Sequence, residues 1–161
     1  MTLRSAAIII RDMPLSEDIK RRMELVRATV NGCPFYRHLS MALVDYDEGK
    51  SVLEISVGPE HTNIYGAAHG GVVASIADSA SGLALATLLD AGQSTVTLDL
   101  RVNYTATVRQ GLIVATGEVA HRGKTTAVGT VRITQNGTLV AVAIVTHFIK
   151  HLSPVNLEEK S

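Results

Sequence analysis

Residues 70–89 read GGVVASIADSASGLALATLL, and the fold turns on how this stretch is read. It approaches the length of a membrane span, but it is dense in Ala, Ser and Gly and carries Asp78 at its middle, so a buried helix of a globular domain is expected. The helix should run from near Gly70 to around Leu89, before Gly92. Nearly all its faces are apolar or small, so it must be surrounded by protein. An aspartate among Val72, Val73, Ile76, Ala77, Ala80 and Leu83 is costly to bury ionised without a partner, and the helix offers no Lys or Arg. Asp78 is therefore either a functional carboxylate or an acceptor that fixes register against a neighbouring strand's Thr or backbone amide.

Upstream, after Pro14, Leu15 to Val30 carries Ile19, Met23, Val26 and Val30 at helical spacing, and Asn31-Gly32 supplies a stop. Met41 to Asp45 and Val52 to Val57 read as a hairpin about Asp47-Glu48-Gly49-Lys50. Pro59 to Ala68 is loop. Downstream come four β-rich runs, Thr95 to Tyr104, Leu112 to Ala120, Thr125 to Thr134 and Thr138 to Phe148, the last two joined by the tight-hairpin pair Asn136-Gly137. Strand and helix do not alternate, so the sheet should be antiparallel and the class α+β. A long central helix wrapped by a curved antiparallel sheet, with an N-terminal lead-in helix, satisfies this order. Such a layout leaves part of the helix and one sheet edge needing cover, so a second subunit is expected.

The chain has 161 residues, enough for one domain with its own core. We expect an N-terminal extension and helix over 1–33, the main domain over 34–152 and a tail over 153–161. Hydrophobic residues make up 46% and charged residues 19%, which excludes disordered and coiled-coil classes. Lys plus Arg equals Asp plus Glu at 15 each, so no global field draws the chain to nucleic acid or an anionic membrane. The lone Cys33 excludes an internal disulfide and suits a reducing compartment. The apolar run Ala6 to Ile10 is too short for a signal peptide, so a cytoplasmic location is expected.

Three features could carry chemistry: the turn His69-Gly70-Gly71 opening the long helix, Asp78 within it, and Asn63 in the loop before it. Two glycines can merely serve a turn. They can also let a substrate carbonyl approach bare amides at the helix N-terminus, where the unpaired donors stabilise an oxyanion. Asn63 and Thr97, each taken alone, pass for an ordinary loop residue and a β-former. No G-x-S-x-G elbow is present, and Cys33 with His38 has no orienting partner. His61, His69 and Asp78 match no dedicated metal spacing.

The string Asn63-Ile-Tyr-Gly-Ala-Ala-His69-Gly70-Gly71, followed by Asp78 and Gly82, resembles the hotdog-fold thioesterases of the phenylacetic-acid-degradation (PaaI-like) family. Phe35 to Leu43, TVTLDLRVNY ending at Tyr104, Gly111, His121-Arg122-Gly123 and the closing strand through Thr146 resemble it too. The resemblance implies a hotdog fold and hydrolysis of acyl-CoA thioesters by a homodimer or homotetramer, with no metal and no organic cofactor. It also implies roles: Asp78 as nucleophile or general base, the Gly70 amide polarising the thioester carbonyl, Asn63 and His69 shaping the site, and Thr97 helping to place water. Gly71, Arg122 and Lys124 are candidate substrate contacts, the two basic residues for CoA phosphates; the structural alternative for them is an ordinary solvated hairpin. Two rival functions stand beside this: a hotdog hydratase or dehydratase using His69 with Asp78, and a non-catalytic acyl-CoA binding module.

Overall fold

The computed structural model describes residues 17–151. Residues 1–16, which include the apolar run near the N-terminus and the first residues of the expected lead-in helix, and residues 152–161, which include the expected tail, lie outside the described residues. The order is α1 (Glu17–Gly32), α2 (Pro34–His38), β1 (Met41–Asp47), β2 (Lys50–Val57), a 3-10 turn (Pro59–His61), α3 (Gly70–Ala86), β3 (Gln93–Tyr104), β4 (Gly111–Arg122), β5 (Thr126–Gln135) and β6 (Thr138–His151). All strands join one antiparallel sheet in the order β1-β2-β4-β5-β6-β3. Helix α3 touches every strand of it, so the sheet wraps the helix.

The two tight hairpins follow from their turn residues. Asn136 and Gly137 both take left-handed φ angles, 50° and 79°, which is the geometry that matches strand twist in a two-residue loop. Between β1 and β2 the strands run further than the charged sequence suggested, leaving only Glu48-Gly49 as the turn.

The core lies between α3 and the strands, where Ile76, Ala77 and Ala80 meet Leu53, Ile55, Ile113, Ala115, Val131 and Val145. Helix α1 adds the fully buried Met23. Contact is closest where small residues face each other. A methyl group on Gly117 of β4 would sit 2.5 Å from the Ala80 carbonyl oxygen, and the Ser51 hydroxyl donates to that same oxygen at 2.7 Å.

One expectation is corrected here. The helix ends at Ala86 rather than Leu89, because the Thr87 hydroxyl folds back onto the Ala84 carbonyl at 2.7 Å and accepts the Gly49 amide at 2.7 Å. As the wrapped layout led us to expect, part of the helix is left uncovered within one chain. Gly71, Ala74, Ser75, Asp78, Ser79, Gly82 and Ala86 form a stripe at helical spacing that stays open, and the sequence hides it because small residues look the same buried or open. Strand β3, 12 residues long, is a sheet edge, with Leu98 61% exposed on it.

Candidate active site

The loop before α3 is held by its own side chains and by the loop between β3 and β4. His61, 2% exposed, accepts the Gly58 amide on Nδ1 at 3.0 Å. Asn63 Oδ1 accepts the amides of Tyr65 at 2.9 Å and Ala67 at 3.2 Å, a turn that Gly66 completes at φ +68°. The Ala68 amide bonds the Val108 carbonyl at 2.7 Å and the His69 amide bonds the His61 carbonyl at 2.7 Å, so the chain enters α3 from a fixed direction.

His69 is the N-cap of α3, its Nδ1 accepting the Gly71 amide at 2.9 Å. The Val72 amide bonds the His69 carbonyl at 2.9 Å. That leaves the Gly70 amide without an acceptor among the described residues, at the positive end of a 17-residue helix. The Tyr104 hydroxyl donates to the Gly70 carbonyl at 2.9 Å. A cavity of about 250 Å³ opens here, lined by Asn63, Ala68, Gly70, Val73, Tyr104 and Val140 among others.

Asp78 lies two turns along. It is half-exposed in a groove of about 440 Å³ between α3 and β3, which corrects the expectation of an aspartate sealed among apolar side chains. Its partner is Thr97, whose hydroxyl donates to Oδ1 at 2.7 Å. A bulge in β3 between Thr97 and Asp99 breaks the ladder next to Thr97. Behind Thr97 stands His147 of β6, 1% exposed, with Nδ1 3.5 Å from the Thr97 hydroxyl and Nε2 2.7 Å from the Ser81 hydroxyl. With the proton on Nδ1, every donor in the series Ser81, His147, Thr97 points toward Asp78.

Two groups beside this carboxylate have shifted pKa values, burial being the main cause of each. Burial pushes the His147 pKa below its ordinary 6.5, the Asp78 charge acting in the opposite sense. Tyr36, reaching the groove from α2, has its phenol pushed up by burial, with the Ser79 hydrogen bond opposing and Asp78 adding to the rise.

The structure thus sorts the sequence candidates into two groups. Asn63, His69, Gly70 and Gly71 gather at the N-terminus of α3; Asp78 and Thr97 gather in the groove. Within one chain His69 and Asp78 do not pair, since the imidazole caps the helix and the carboxylate takes Thr97. Arg122 reaches Asp90 at 3.3 Å and Gln93 at 3.2 Å, so it sits at the rim of the Asp78 groove, which Gln93 lines. Lys124 is exposed, with no ion pair among the described residues. Among the described residues no group of three or more His, Cys, Asp or Glu gathers at metal-binding range.

Residues 65–142 match the model of the thioesterase superfamily. The chain is 34% identical over 131 residues to acyl-coenzyme A thioesterase 13 of Homo sapiens, covering 80% of this chain and 92% of that protein. The chain belongs to the thioesterase superfamily. Among solved structures of this superfamily's fold, a mutant of phenylacetic acid degradation protein PaaI from Thermus thermophilus superposes with a TM-score of 0.67 at 29% identity, over 72% of this chain and 98% of that one. A thioesterase from Haemophilus influenzae superposes with a TM-score of 0.74 at 23% identity, over 80% and 90%, and shares the hotdog fold.

In this thioesterase, sequence reasoning missed His147, Ser81, Tyr36 and Tyr104 as members of the two groups. His147 could have been found from period two alone: it shares the inward parity of Ala141, Ala143 and Val145 on β6. Ser81 and Tyr36 carry no such signal, because one is a small residue in a run of small residues and the other comes from a segment distant in sequence.

Proposed function

We propose that this thioester hydrolase cleaves acyl-CoA thioesters to free acid and CoA, using Asp78 of one subunit and the Gly70 amide of another. The observation that carries the reading is the separation of the two groups along one open helix face. Gly70 and Asp78 are eight residues apart, about 12 Å along the axis at 1.5 Å per residue. Both must come within about 3 Å of one reacting centre, which no single carbonyl can satisfy in one chain. A two-fold axis that lays two α3 helices antiparallel along their open stripes brings Gly70 of one to Asp78 of the other.

The chemistry is then short. The bare Gly70 amide, at the positive end of α3, stabilises the oxyanion that forms on the thioester carbonyl. Asp78, oriented by Thr97, attacks the carbonyl carbon or takes a proton from the attacking water. The departing thiolate belongs to a group of pKa near 8.5 and leaves with little acid help. His69 and Asn63 hold the helix entry and the loop, Gly71 anchors the cap beside the carbonyl, and Arg122 and Lys124 supply positive charge for the CoA phosphates. Catalysis needs no metal and no organic cofactor, and the enzyme works in the cytoplasm as a homodimer or homotetramer.

Support comes from the named relative, an acyl-coenzyme A thioesterase, and from the absence among the described residues of any helix long and apolar enough to cross a membrane. The direct test is thiol release from a panel of acyl-CoA esters by the wild type and Asp78→Asn. The substitution keeps shape and removes only the anionic oxygen, so hydrolysis should fall more than a thousandfold, on the order expected for a catalytic carboxylate, while ester binding survives. Retention of more than about a tenth of the rate would remove Asp78 from the mechanism.

A further inference from the structure

An oxyanion donor must hold its N–H still, and glycine is the residue least able to do so unaided. It has more conformational freedom to lose than any other residue, and the first turn of a helix has the fewest bonds to restrain it. The Gly70 amide therefore needs support from outside α3.

The two peptide groups that meet at Gly70 are bonded at every polar atom but one. On the first, the His69 carbonyl accepts the Val72 amide at 2.9 Å. On the second, the Gly71 amide donates to His69 Nδ1 at 2.9 Å and the Gly70 carbonyl accepts the Tyr104 hydroxyl at 2.9 Å. Among the described residues only the Gly70 amide is left open. His69 and Val72 are near neighbours of Gly70 in the chain, whereas Tyr104 is 34 residues away and ties the helix entry to the sheet.

Tyr104 is itself well anchored. It ends β3 opposite the buried Ala141, with the inward parity of Leu100 and Val102, which pack on the core. Just past it the amides of Thr105 and Ala106 both bond the Val140 carbonyl, at 2.9 and 3.3 Å, and the Thr105 hydroxyl bonds the Leu139 carbonyl at 2.9 Å. A β-carbon on Gly70 would stand 3.2 Å from the phenol oxygen and 3.4 Å from Cζ, so the tip of the ring lies against the bare α-carbon. Gly70 does not take a left-handed φ, so no turn requires glycine there; contact with Tyr104 gives a reason for it.

The phenol bonds the oxygen of the same peptide whose N–H caps onto His69, and hydrogen bonds in series strengthen one another. A carbonyl oxygen has a second lone pair, so the helix loses none of its own bonds to this contact.

Resting on the reading of Gly70 as oxyanion donor above, we propose that Tyr104 is a positioning residue for that donor. Its hydroxyl fixes the Gly70–Gly71 peptide from a rigid strand end, and through that peptide the direction of the Gly70 N–H.

The test compares Tyr104→Phe, which removes only the hydroxyl, with Gly70→Ala, which keeps the amide but presses on the phenol oxygen, and with the two combined. Wild-type hydrolysis of a series of acyl-CoA esters first checks the function itself. Amide hydrogen exchange at Gly71, read by NMR without substrate, checks the clamp whether or not the esters turn over. In Tyr104→Phe that exchange should quicken about three- to tenfold, the worth of one hydrogen bond. The same variant should lose about three- to tenfold in kcat, with KM within about twofold and the loss equal at every acyl length. Gly70→Ala should also lower kcat, yet cost less than about twofold once Tyr104→Phe has removed the oxygen it presses on. Unchanged exchange at Gly71, a loss carried by KM or growing with acyl length, or losses that simply multiply in the double variant would each overturn the assignment.

Discussion

Thr97 and His147 decide how Asp78 is held. The Thr97 hydroxyl is the only side chain bonded to the carboxylate among the described residues, so Thr97→Ala should lower kcat about ten- to hundredfold, the range for a hydrogen bond to a charged group, with KM little changed and Thr97→Ser restoring most of the loss. Steady-state kinetics on one good ester checks it, and wild-type kinetics for the alanine variant would remove Thr97 from the site. His147 makes a prediction about pH. Its pKa is lower in the fold than its ordinary 6.5, so protonation favours the unfolded chain. The stability it contributes is complete above about pH 6.5 and is lost as pH falls from there through the lowered folded value. Melting temperature should therefore drop between pH 7 and pH 5 more in the wild type than in His147→Gln; equal slopes would contradict the buried neutral imidazole. At this scale the sequence exposed Asp78, because a carboxylate amid alanines and valines is conspicuous, whereas Thr97, alone an ordinary β-former, was singled out only through the family resemblance. It could not expose Ser81 or Tyr36, whose roles exist only through long-range packing.

At the scale of elements, the fit of α3 to the sheet depends on glycine where the backbones come closest. A β-carbon on Gly117 would lie 2.5 Å from the Ala80 carbonyl oxygen, a backbone atom that cannot swing aside. Gly117→Ala should therefore push β4 from α3 and destabilise the fold by about 1–3 kcal/mol, the usual range for overpacking, read as a lower midpoint in urea. A midpoint equal to that of the wild type would mean the helix has slack against the sheet. The elements themselves were legible from local patterns: Asn136-Gly137 gave a hairpin, the alternating runs gave strands, and the double glycine gave the start of α3. Their ends were less so. The Thr87-Leu88-Leu89 run prolongs the apolar pattern past the helix, and only the Thr87 hydroxyl, bonded to both Ala84 and Gly49, shows why the helix stops at Ala86.

At the scale of the molecule, the open stripe of α3 and the long edge β3 lie on one side, and both call for a partner. Pairing edge to edge would satisfy the unpaired β3 backbone, while the small stripe residues would let two α3 helices approach closely. The expectation of a second subunit came from an apolar helix and a sheet with an uncovered edge. The division of the site between two clefts was legible only as an axial distance, since nothing local in the sequence separates Gly70 from Asp78. The measurement that bears most directly on this account mixes two inactive variants. Gly70→Pro removes the amide at the first helical position, where proline is tolerated, and the tip of Tyr104 must yield slightly to the added ring. Asp78→Ala removes the carboxylate. After each variant is shown to fold and the two are shown by mass spectrometry to exchange subunits, about half of randomly paired dimers are mixed and each holds one intact site of two. The account predicts that about a quarter of wild-type thioester hydrolysis returns on mixing; exchange without any return of activity would contradict it.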